Sequence, residues 1–165
     1  MDSVKRKTIE GWIDKATNQL MFAKDKLKSY YYDSECVQAA QECVELSVKA
    51  VLEFLEIEYA RVHGWNKEQL EKIAKQVVDR KIVERLAAAN LSVYVPLPRL
   101  LFLANFWAQF YIQAKYGMEA GYLASAKELI DHAEAEIAVK HADQCYGAAL
   151  RLRHIDEEKL AEIAS

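Results

Sequence analysis

The stretch from Asp33 to Ile57, DSECVQAAQECVELSVKAVLEFLEI, decides the fold of this chain. Apolar or small residues recur in it at intervals of three and four, and such intervals place side chains on one face of an α-helix. Because a helix that is apolar on two faces must pack against neighbours on both, the stretch predicts the central helix of a bundle. The two stripes are Val37, Ala40, Val44, Val48, Val51 and Leu55, and Cys36, Ala39, Cys43, Leu46, Ala50 and Phe54.

The polar residues of this stretch agree with a helix. Glu45 precedes Lys49 by four positions, which is the favourable order for an ion pair within one helix. Asp33 or Ser34 can cap the first turn, where the helix dipole also favours the carboxylate of Glu35.

The bulk composition describes one soluble domain. The chain has 165 residues, 52% of them hydrophobic and 28% charged, and a chain of this length buries ~68–70% of its unfolded surface. Only 5 glycines and 2 prolines are present, which favours long helices over a strand-rich fold with many turns. The net charge of −3 argues against a strongly basic nucleic-acid binder but leaves room for a local basic patch.

The cysteines do not form a redox or metal motif. Cys36 and Cys43 are two helical turns apart, roughly 10 Å along the axis, which is too far for a disulfide. We expect these two residues and Cys145 to be small buried side chains in a reducing cytoplasm.

The first residues, MDSVKRKTIEGW, lack the apolar segment of a signal peptide, so we expect a cytoplasmic protein.

Four further helical regions surround the central one. We expect a first helix from Thr8, as N-cap, to Ser29, with residues 1–7 frayed. Three tyrosines at 30–32 form a connector that covers the end of the bundle or, alternatively, offers a stacking platform for a base. Asn66 opens a third region with a capping box, either one bent helix or two in tandem.

The second half contains the clearest break in the chain. Residues 91–98 hold both prolines, and each proline pushes the residue before it towards extended geometry. A fourth helix follows over 97–114 and a fifth from Tyr122 to Leu150. The domain division is therefore a helical bundle over 8–150 and a C-terminal helical extension over 151–165.

The fourth helix is the most apolar segment. Only residues 100–114 are uncharged, fewer than the ~20 residues that a membrane span needs, so we expect no membrane insertion. Asn105, Gln109 and Gln113 form one uncharged polar stripe along it. We expect this stripe to be the seam of a homodimer, and the alternative is a helix buried in the core of a single copy.

With these elements in place the chain resembles the HEPN domain family. The resemblance rests on Glu45-x-x-x-Lys49-Ala50 within a long second helix that opens with Ala39-Ala40, and on the order of long and variable helices. A fourth helix ending Ala114-Lys115-Tyr116-Gly117 is similar to archaeal members. The resemblance implies an all-α, up-down bundle of four to five long helices that forms two-fold dimers.

Two modes of action follow from the resemblance. Some members resemble metal-independent RNases that use an Arg-x(4–6)-His motif, and others look like binding partners of a small nucleotidyltransferase, as in a toxin–antitoxin pair, or like nucleotide or RNA binders. Here no arginine stands five to seven positions before any of His63, His132, His141 or His154. Lys127, five before His132, is the nearest approximation, and lysine lacks the bidentate fork that guanidinium offers a phosphate.

Other chemistry is not predicted. The chain has no Glu-x-x-His motif for a di-metal bundle, and its glycines are too scattered for a phosphate-binding loop, so we expect no metal and no cofactor. The remaining possibility is a site that binds an anion, in which cationic side chains hold a phosphate and neighbouring tyrosines stack on a base. The predicted ligand residues are Arg99, Lys115, Tyr116 and Arg85. The alternative is a solvated charged face, because Asp79 and Glu84 are interspersed among the cations.

The sequence therefore predicts a non-catalytic dimerising module that binds a nucleotide, RNA or a protein partner. The alternatives are an atypical metal-independent RNase and a purely structural helical dimer.

Overall fold

The computed structural model describes residues 3–118 and 122–165, and in these ranges it is an all-α bundle. The predicted fold class is confirmed. Its described helices are α1 (Ser3–Lys26), α2 (Asp33–Phe54), α3 (Lys67–Asp79), α4 (Ile82–Ala88), α5 (Leu97–Ala108), α6 (Tyr111–Tyr116), α7 (Ala126–Leu129), α8 (His132–Arg153) and α9 (Glu157–Ala164), with a 3-10 turn at Tyr30–Tyr32.

Helix α2 is the centre of the bundle, as its two apolar stripes predict. It packs against α1 on one side and α8 on another, and α5 and α6 also lie against it. Sixteen of its residues are buried, including Gln41, Ser47 and Glu53. Close approach is possible because α8 presents alanines to it, five of which are fully buried: Ala135, Ala138, Ala142, Ala148 and Ala149. The expectation that this rod is enclosed on both sides is confirmed.

The cysteines lie where these helices meet. Cys36, Cys43 and Cys145 are all free and buried. Burial raises the pKa of Cys36 and of Cys43 to about 12, so both are protonated thiols at neutral pH. The thiol of Cys36 donates to the carbonyl oxygen of Ala23 on α1 at 3.3 Å. The prediction of small buried side chains is confirmed.

The beginning of α1 corrects two expectations. The helix starts at Ser3 rather than Thr8, and Thr8 is not a cap, because its hydroxyl donates back to the carbonyl oxygen of Val4 within the helix. The expected frayed segment 1–7 is helical from residue 3, and its first two residues lie outside the described ranges. Arg6 holds this turn by donating to the carbonyl oxygen of Arg153 at 3.0 Å.

Asp33 also differs from the expectation that it or Ser34 caps α2. The N-cap position is Tyr32, which makes no capping hydrogen bond through its side chain. Asp33 lies inside the first turn, where its Oδ1 is 2.8 Å from Nδ1 of His132 on α8. A contact to another helix therefore replaces the local cap.

The helix count exceeds the expected four to five because long segments are divided. The expected fifth helix over 122–150 is α7 followed by α8. The side chain of Asp131 caps α8, and its backbone N–H donates in return to Oε2 of Glu134. The expected fourth helix bends after Ala108, so that α5 ends and α6 begins at Tyr111. The third region is two helices in tandem, with Lys81 at a φ of 51° between them, and the capping box of Asn66 is confirmed.

The C-terminal helix α9 packs against α4, with Leu160 and Ile163 buried. Arg80, after α3, connects the end of α2 to the end of α9. Its guanidinium donates to the carbonyl oxygens of Leu55 and Glu56 at 2.8 and 3.0 Å, and to that of Ala164. The division at residue 150 stays a prediction. No helix of the described ranges is long and apolar enough to cross a membrane, as expected for 100–114.

Arg80→Ala is expected to lower the free energy of unfolding by about 1–3 kcal/mol, because three carbonyl oxygens lose a charged donor. Chemical denaturation measures the change. Lys75→Ala, an exposed α3 position, is the control and should change stability by less than about 0.5 kcal/mol. Equal stability of both variants would contradict the role given to Arg80.

Candidate functional site

Glu45, in the middle of α2, is the centre of a polar cluster at the edge of the core. Its carboxylate accepts from Lys49 Nζ at 2.6 Å and from Gln41 Nε2 at 3.2 Å, and it lies 2.7 Å from Nδ1 of His63. The side chains of Glu45 and Lys49 are only 16% and 13% exposed. The predicted pair is therefore present and mostly desolvated.

The pKa of Glu45 reflects these contacts. Burial would raise the pKa of this carboxyl, but the hydrogen bonds and charges of Lys49 and His63 outweigh burial and lower it. The carboxylate is therefore ionised at neutral pH, and with Lys49 it forms a pair that adds no net charge to the core.

His63 connects this pair to α6. Its ring stacks on Tyr111 with 4.9 Å between centroids and 11° between planes. The ammonium of Lys115 donates to the hydroxyl of Tyr111 at 3.4 Å and is 5.5 Å from the ring centroid. We call the consecutive contacts of imidazole, phenol ring and ammonium the column, and it ends at one of the predicted ligand residues.

Local backbone geometry presents His63 to this column. Gly64 has a φ of 70°, in the left-handed region that glycine adopts without strain, and a Cβ there would lie 2.9 Å from Cβ of Ala108. The backbone N–H of Trp65 then donates to Oδ1 of Asn105 at 3.0 Å. Glycine at this turn therefore permits the close approach of the loop to α5.

A cavity of about 260 Å³ lies beside the column. Part of its wall is an ion pair at 2.6 Å between Lys15 on α1 and Glu42 on α2. Its lining is completed by Gln38, Gln41, Glu45, Leu46, His63, Tyr111 and Lys115. The volume is just below the ~300 Å³ at which pockets for drug-sized ligands begin, so only a small molecule or one end of a larger one fits it.

A second polar contact joins α5 to α8. The indole N–H of Trp107 donates to Nδ1 of His141 at 3.1 Å, and the guanidinium Nη2 of Arg99 lies 3.1 Å from Nε2 of the same ring. Trp107 is buried, whereas Arg99 is exposed and also lies over the ring of Phe102 at 5.4 Å. Arginine and histidine thus meet in space although they are 42 positions apart in the chain.

The four predicted ligand residues fall into three places. Lys115 and Tyr116 are together, with the ammonium 5.2 Å from the Tyr116 ring centroid. Arg99 is at the opposite end of the α5–α6 segment, against His141. Arg85 donates to the carbonyl oxygen of Glu162 at 2.6 Å and so contacts α9. A ligand role for each residue stays a prediction.

The predicted seam residues lie on or beside the outward side of α5 and α6. Gln109 is exposed and Asn105 half-buried, while Gln113 is half-buried with an Oε1 that has no hydrogen-bond partner. Three phenylalanines share this side at four-residue intervals, and Phe102, Phe106 and Phe110 are 56%, 39% and 39% exposed. Their neighbouring ring centroids are 5.9 and 5.2 Å apart. We call these three side chains the phenylalanine ladder.

The other residues considered for catalysis have structural partners. His132 pairs with Asp33 and packs on Tyr30 with 4.0 Å between centroids. The ammonium of Lys127 lies over the Tyr31 ring at 3.4 Å. Tyr30 and Tyr31 are 77% and 65% exposed, so most of the aromatic surface of the connector reaches solvent. In the described ranges no three His, Cys, Asp or Glu side chains are grouped to hold a metal ion.

Sequence reasoning missed the contacts of His63, Trp107 and His141. No local spacing signals them, because their partners are 18 and 34 positions away. The phenylalanine ladder did have a signal, since three phenylalanines at i, i+4 and i+8 lie on one helix face.

Glu45→Gln is expected to lower the free energy of unfolding by about 2 kcal/mol near neutral pH, because Lys49 loses its charged partner in a mostly buried site. The folded pKa of Glu45 is lowered, so its contribution is complete above the ordinary carboxyl pKa. That contribution is lost as the pH falls through the folded value. Denaturation between pH 7 and pH 3 should therefore show wild type and variant converging in acid.

Glu71→Gln is the matched control, because Glu71 forms an exposed pair with Lys67 at 3.8 Å. Such pairs contribute little, so this variant should follow wild type at every pH. A constant gap between Glu45→Gln and wild type down to pH 3 would contradict the lowered pKa.

Comparison with known proteins agrees with the resemblance drawn from the sequence. The family model described as HEPN domain matches residues 9–152. No curated protein and no solved structure matches the chain. Members of the matched family often dimerise and are often related to nucleotides or RNA. Since the match spans nearly the whole sequence, the chain belongs to the HEPN domain family.

Proposed function

We propose that this HEPN domain is a non-catalytic dimerising module whose seam is the outward side of α5 and α6, and that the dimer binds a nucleotide or RNA. The phenylalanine ladder is the observation that carries the proposal. Phe102 and Phe106 are exposed on α5 and Phe110 follows its end, whereas Leu97 and Leu100 on the opposite side of α5 are buried. Contiguous exposed aromatic surface of this kind marks interaction sites.

A second copy of the chain is the occupant that the chemistry of this side favours. No charged residue stands between Arg99 and Lys115, so two copies can meet along residues 100–114 without like charges facing each other. A two-fold dimer brings the same patch together from both copies. Gln109, which is exposed, then supplies an amide at a seam that is otherwise apolar.

Gln109→Arg is expected to convert the dimer into monomers, because the substitution puts a guanidinium from each copy into the uncharged seam. Light scattering on the purified protein measures the mass. Asn18→Arg, which adds the same charge at an exposed position of α1, should leave the dimer mass unchanged. A Gln109→Arg protein that keeps the wild-type mass would remove the seam from this side.

The nucleotide or RNA half of the proposal is supported by the surroundings of Lys115. In the described ranges Lys115 has no carboxylate partner and lies on the rings of Tyr111 and Tyr116. The hydrogen bonds that Lys115 donates to the two tyrosine hydroxyls, Tyr116 first, raise the pKa of Lys115, so the ammonium is charged at physiological pH. A cation among aromatic rings can hold a phosphate while a base stacks beside it.

Lys115→Gln is expected to weaken the binding of a short single-stranded RNA. It should also reduce the slope of log K against log salt by about one, because one phosphate contact is lost. Fluorescence anisotropy at several salt concentrations measures both. Lys7→Gln, at an exposed position near the start of α1, should change neither quantity, and an unchanged slope for Lys115→Gln would contradict the phosphate contact.

The same RNA separates binding from cleavage. The proposal expects the RNA to stay intact without metal, because Lys127 and His132 are engaged by Tyr31 and Asp33 rather than by each other. Cleavage that disappears in Lys127→Ala or His132→Ala would instead establish the atypical RNase. A nucleotidyltransferase partner, as in a toxin–antitoxin pair, stays a prediction, and so does Arg85 as a ligand residue.

A further inference from the structure

We infer that Arg99 and His141 form an oxyanion site for a phosphate group, completed by the indole of Trp107. The inference deepens the nucleotide- or RNA-binding half of the proposed function and rests on it for the biological source of the phosphate. Dimerisation does not depend on it. Three side chains carry the argument, two on α5 and one on α8.

The indole of Trp107 sets the protonation of the imidazole. An indole N–H can only donate, and this one points at Nδ1 of His141 at 3.1 Å from a side chain that is 4% exposed. Nδ1 must therefore carry the lone pair, and the proton of the neutral ring is on Nε2. Burial lowers the pKa of His141, and the charges of Arg99 and Lys140 lower it further, which agrees with a neutral ring.

Two donors then face each other. Nε2–H of His141 is directed at Nη2 of Arg99, only 3.1 Å away, and guanidinium has no acceptor. Neither group can therefore accept a hydrogen bond from the other. Because 3.1 Å leaves no room for an atom between the two nitrogens, an acceptor oxygen would move the exposed guanidinium of Arg99 slightly outward and would then receive a hydrogen bond from each donor. A negatively charged oxygen would also neutralise the guanidinium.

Arg99 is available for such a ligand. Arg6, Arg61, Arg80, Arg85 and Arg153 each donate to a carboxylate or carbonyl oxygen. In the described ranges Arg99 has no oxygen partner and contacts only His141 and the face of Phe102. Guanidinium binds phosphate with two parallel hydrogen bonds, so an arginine without an oxygen partner beside a second donor suits this anion.

The group that this site would bind is a phosphate, which inorganic phosphate, a mononucleotide or an RNA backbone can supply.

Arg151 serves as the matched control. It also lacks an oxygen partner in the described ranges and lies over the Tyr94 ring at 4.8 Å, but it does not face the imidazole. Arg99→Gln and Arg151→Gln remove the same charge and differ only in whether the donor pair is broken.

The experiment follows the imidazole nitrogens of His141 by NMR in full-length protein with 15N-labelled histidine. Inorganic phosphate, a mononucleotide and a short single-stranded RNA are titrated separately at constant ionic strength. Wild type should show Nδ1 as an unprotonated nitrogen, and phosphate should shift Nε2 saturably. Arg99→Gln should weaken this binding about tenfold or more, since a charged hydrogen bond is lost, whereas Arg151→Gln should leave it unchanged.

Trp107→Phe gives a second readout, because loss of the indole donor should mix the two neutral tautomers of His141 and weaken phosphate binding. The inference is overturned if Nδ1 is protonated in the wild type. It is also overturned if phosphate gives no saturable shift or binds Arg99→Gln as tightly as wild type.

The three ligands identify the source of the phosphate. Tighter binding of the mononucleotide or the RNA, with the same dependence on Arg99, assigns the site to a phosphate ester. A response to inorganic phosphate alone assigns it to the free anion and counts against an RNA role for these residues. RNA that binds without sensitivity to Arg99, in a protein where inorganic phosphate and the mononucleotide also give no Arg99-dependent shift, overturns this inference and leaves the proposed function standing.

Discussion

The rest of the structure depends on the burial of α2 between α1 and α8. This burial is possible because the facing side chains are small: cysteines and alanines on α2 meet alanines of α8 that are fully buried. Small side chains let helix backbones approach closely, and a larger residue at such a position would have to displace one of them. Helices α5 and α6 also pack against α2.

The core also determines where polar chemistry can occur. Glu45 is on a helix that is buried along most of its length, so its carboxylate needs partners, and Lys49, Gln41 and His63 supply them. The stacking of His63 on Tyr111 then couples α2 to α6 and leads to Lys115 at the surface. At the other end of the segment, Trp107 reaches from the core to His141 and so positions the ring that faces Arg99. The surroundings of Lys115 and those of Arg99 are therefore both positioned by contacts that begin at buried side chains.

Much of this architecture could be predicted because its signals are local. The spacing of Val37, Val44 and Val51 identifies α2, and Asn66 with Gln69 identifies the start of α3. What could not be predicted depends on contacts between distant parts of the chain. Asp33 looks like a cap from its position but bonds to His132, 99 positions later. Arg85 looks like a surface cation but is engaged by the carbonyl oxygen of Glu162, because the final helix returns to α4. Spacing alone cannot show that Arg99 and His141 meet.

The proposed dimer requires a second copy to cover the outward side of α5 and α6, and a photo-crosslinker at Phe106 tests this most directly. A benzophenone amino acid at Phe106, within the phenylalanine ladder, is predicted to join two copies, with the cross-link mapping to α5 or α6 of the other copy. The same group at Phe22, an exposed phenylalanine on α1, is predicted to give no dimer band. Absence of a cross-link from position 106, or an equal yield from position 22, would contradict the account.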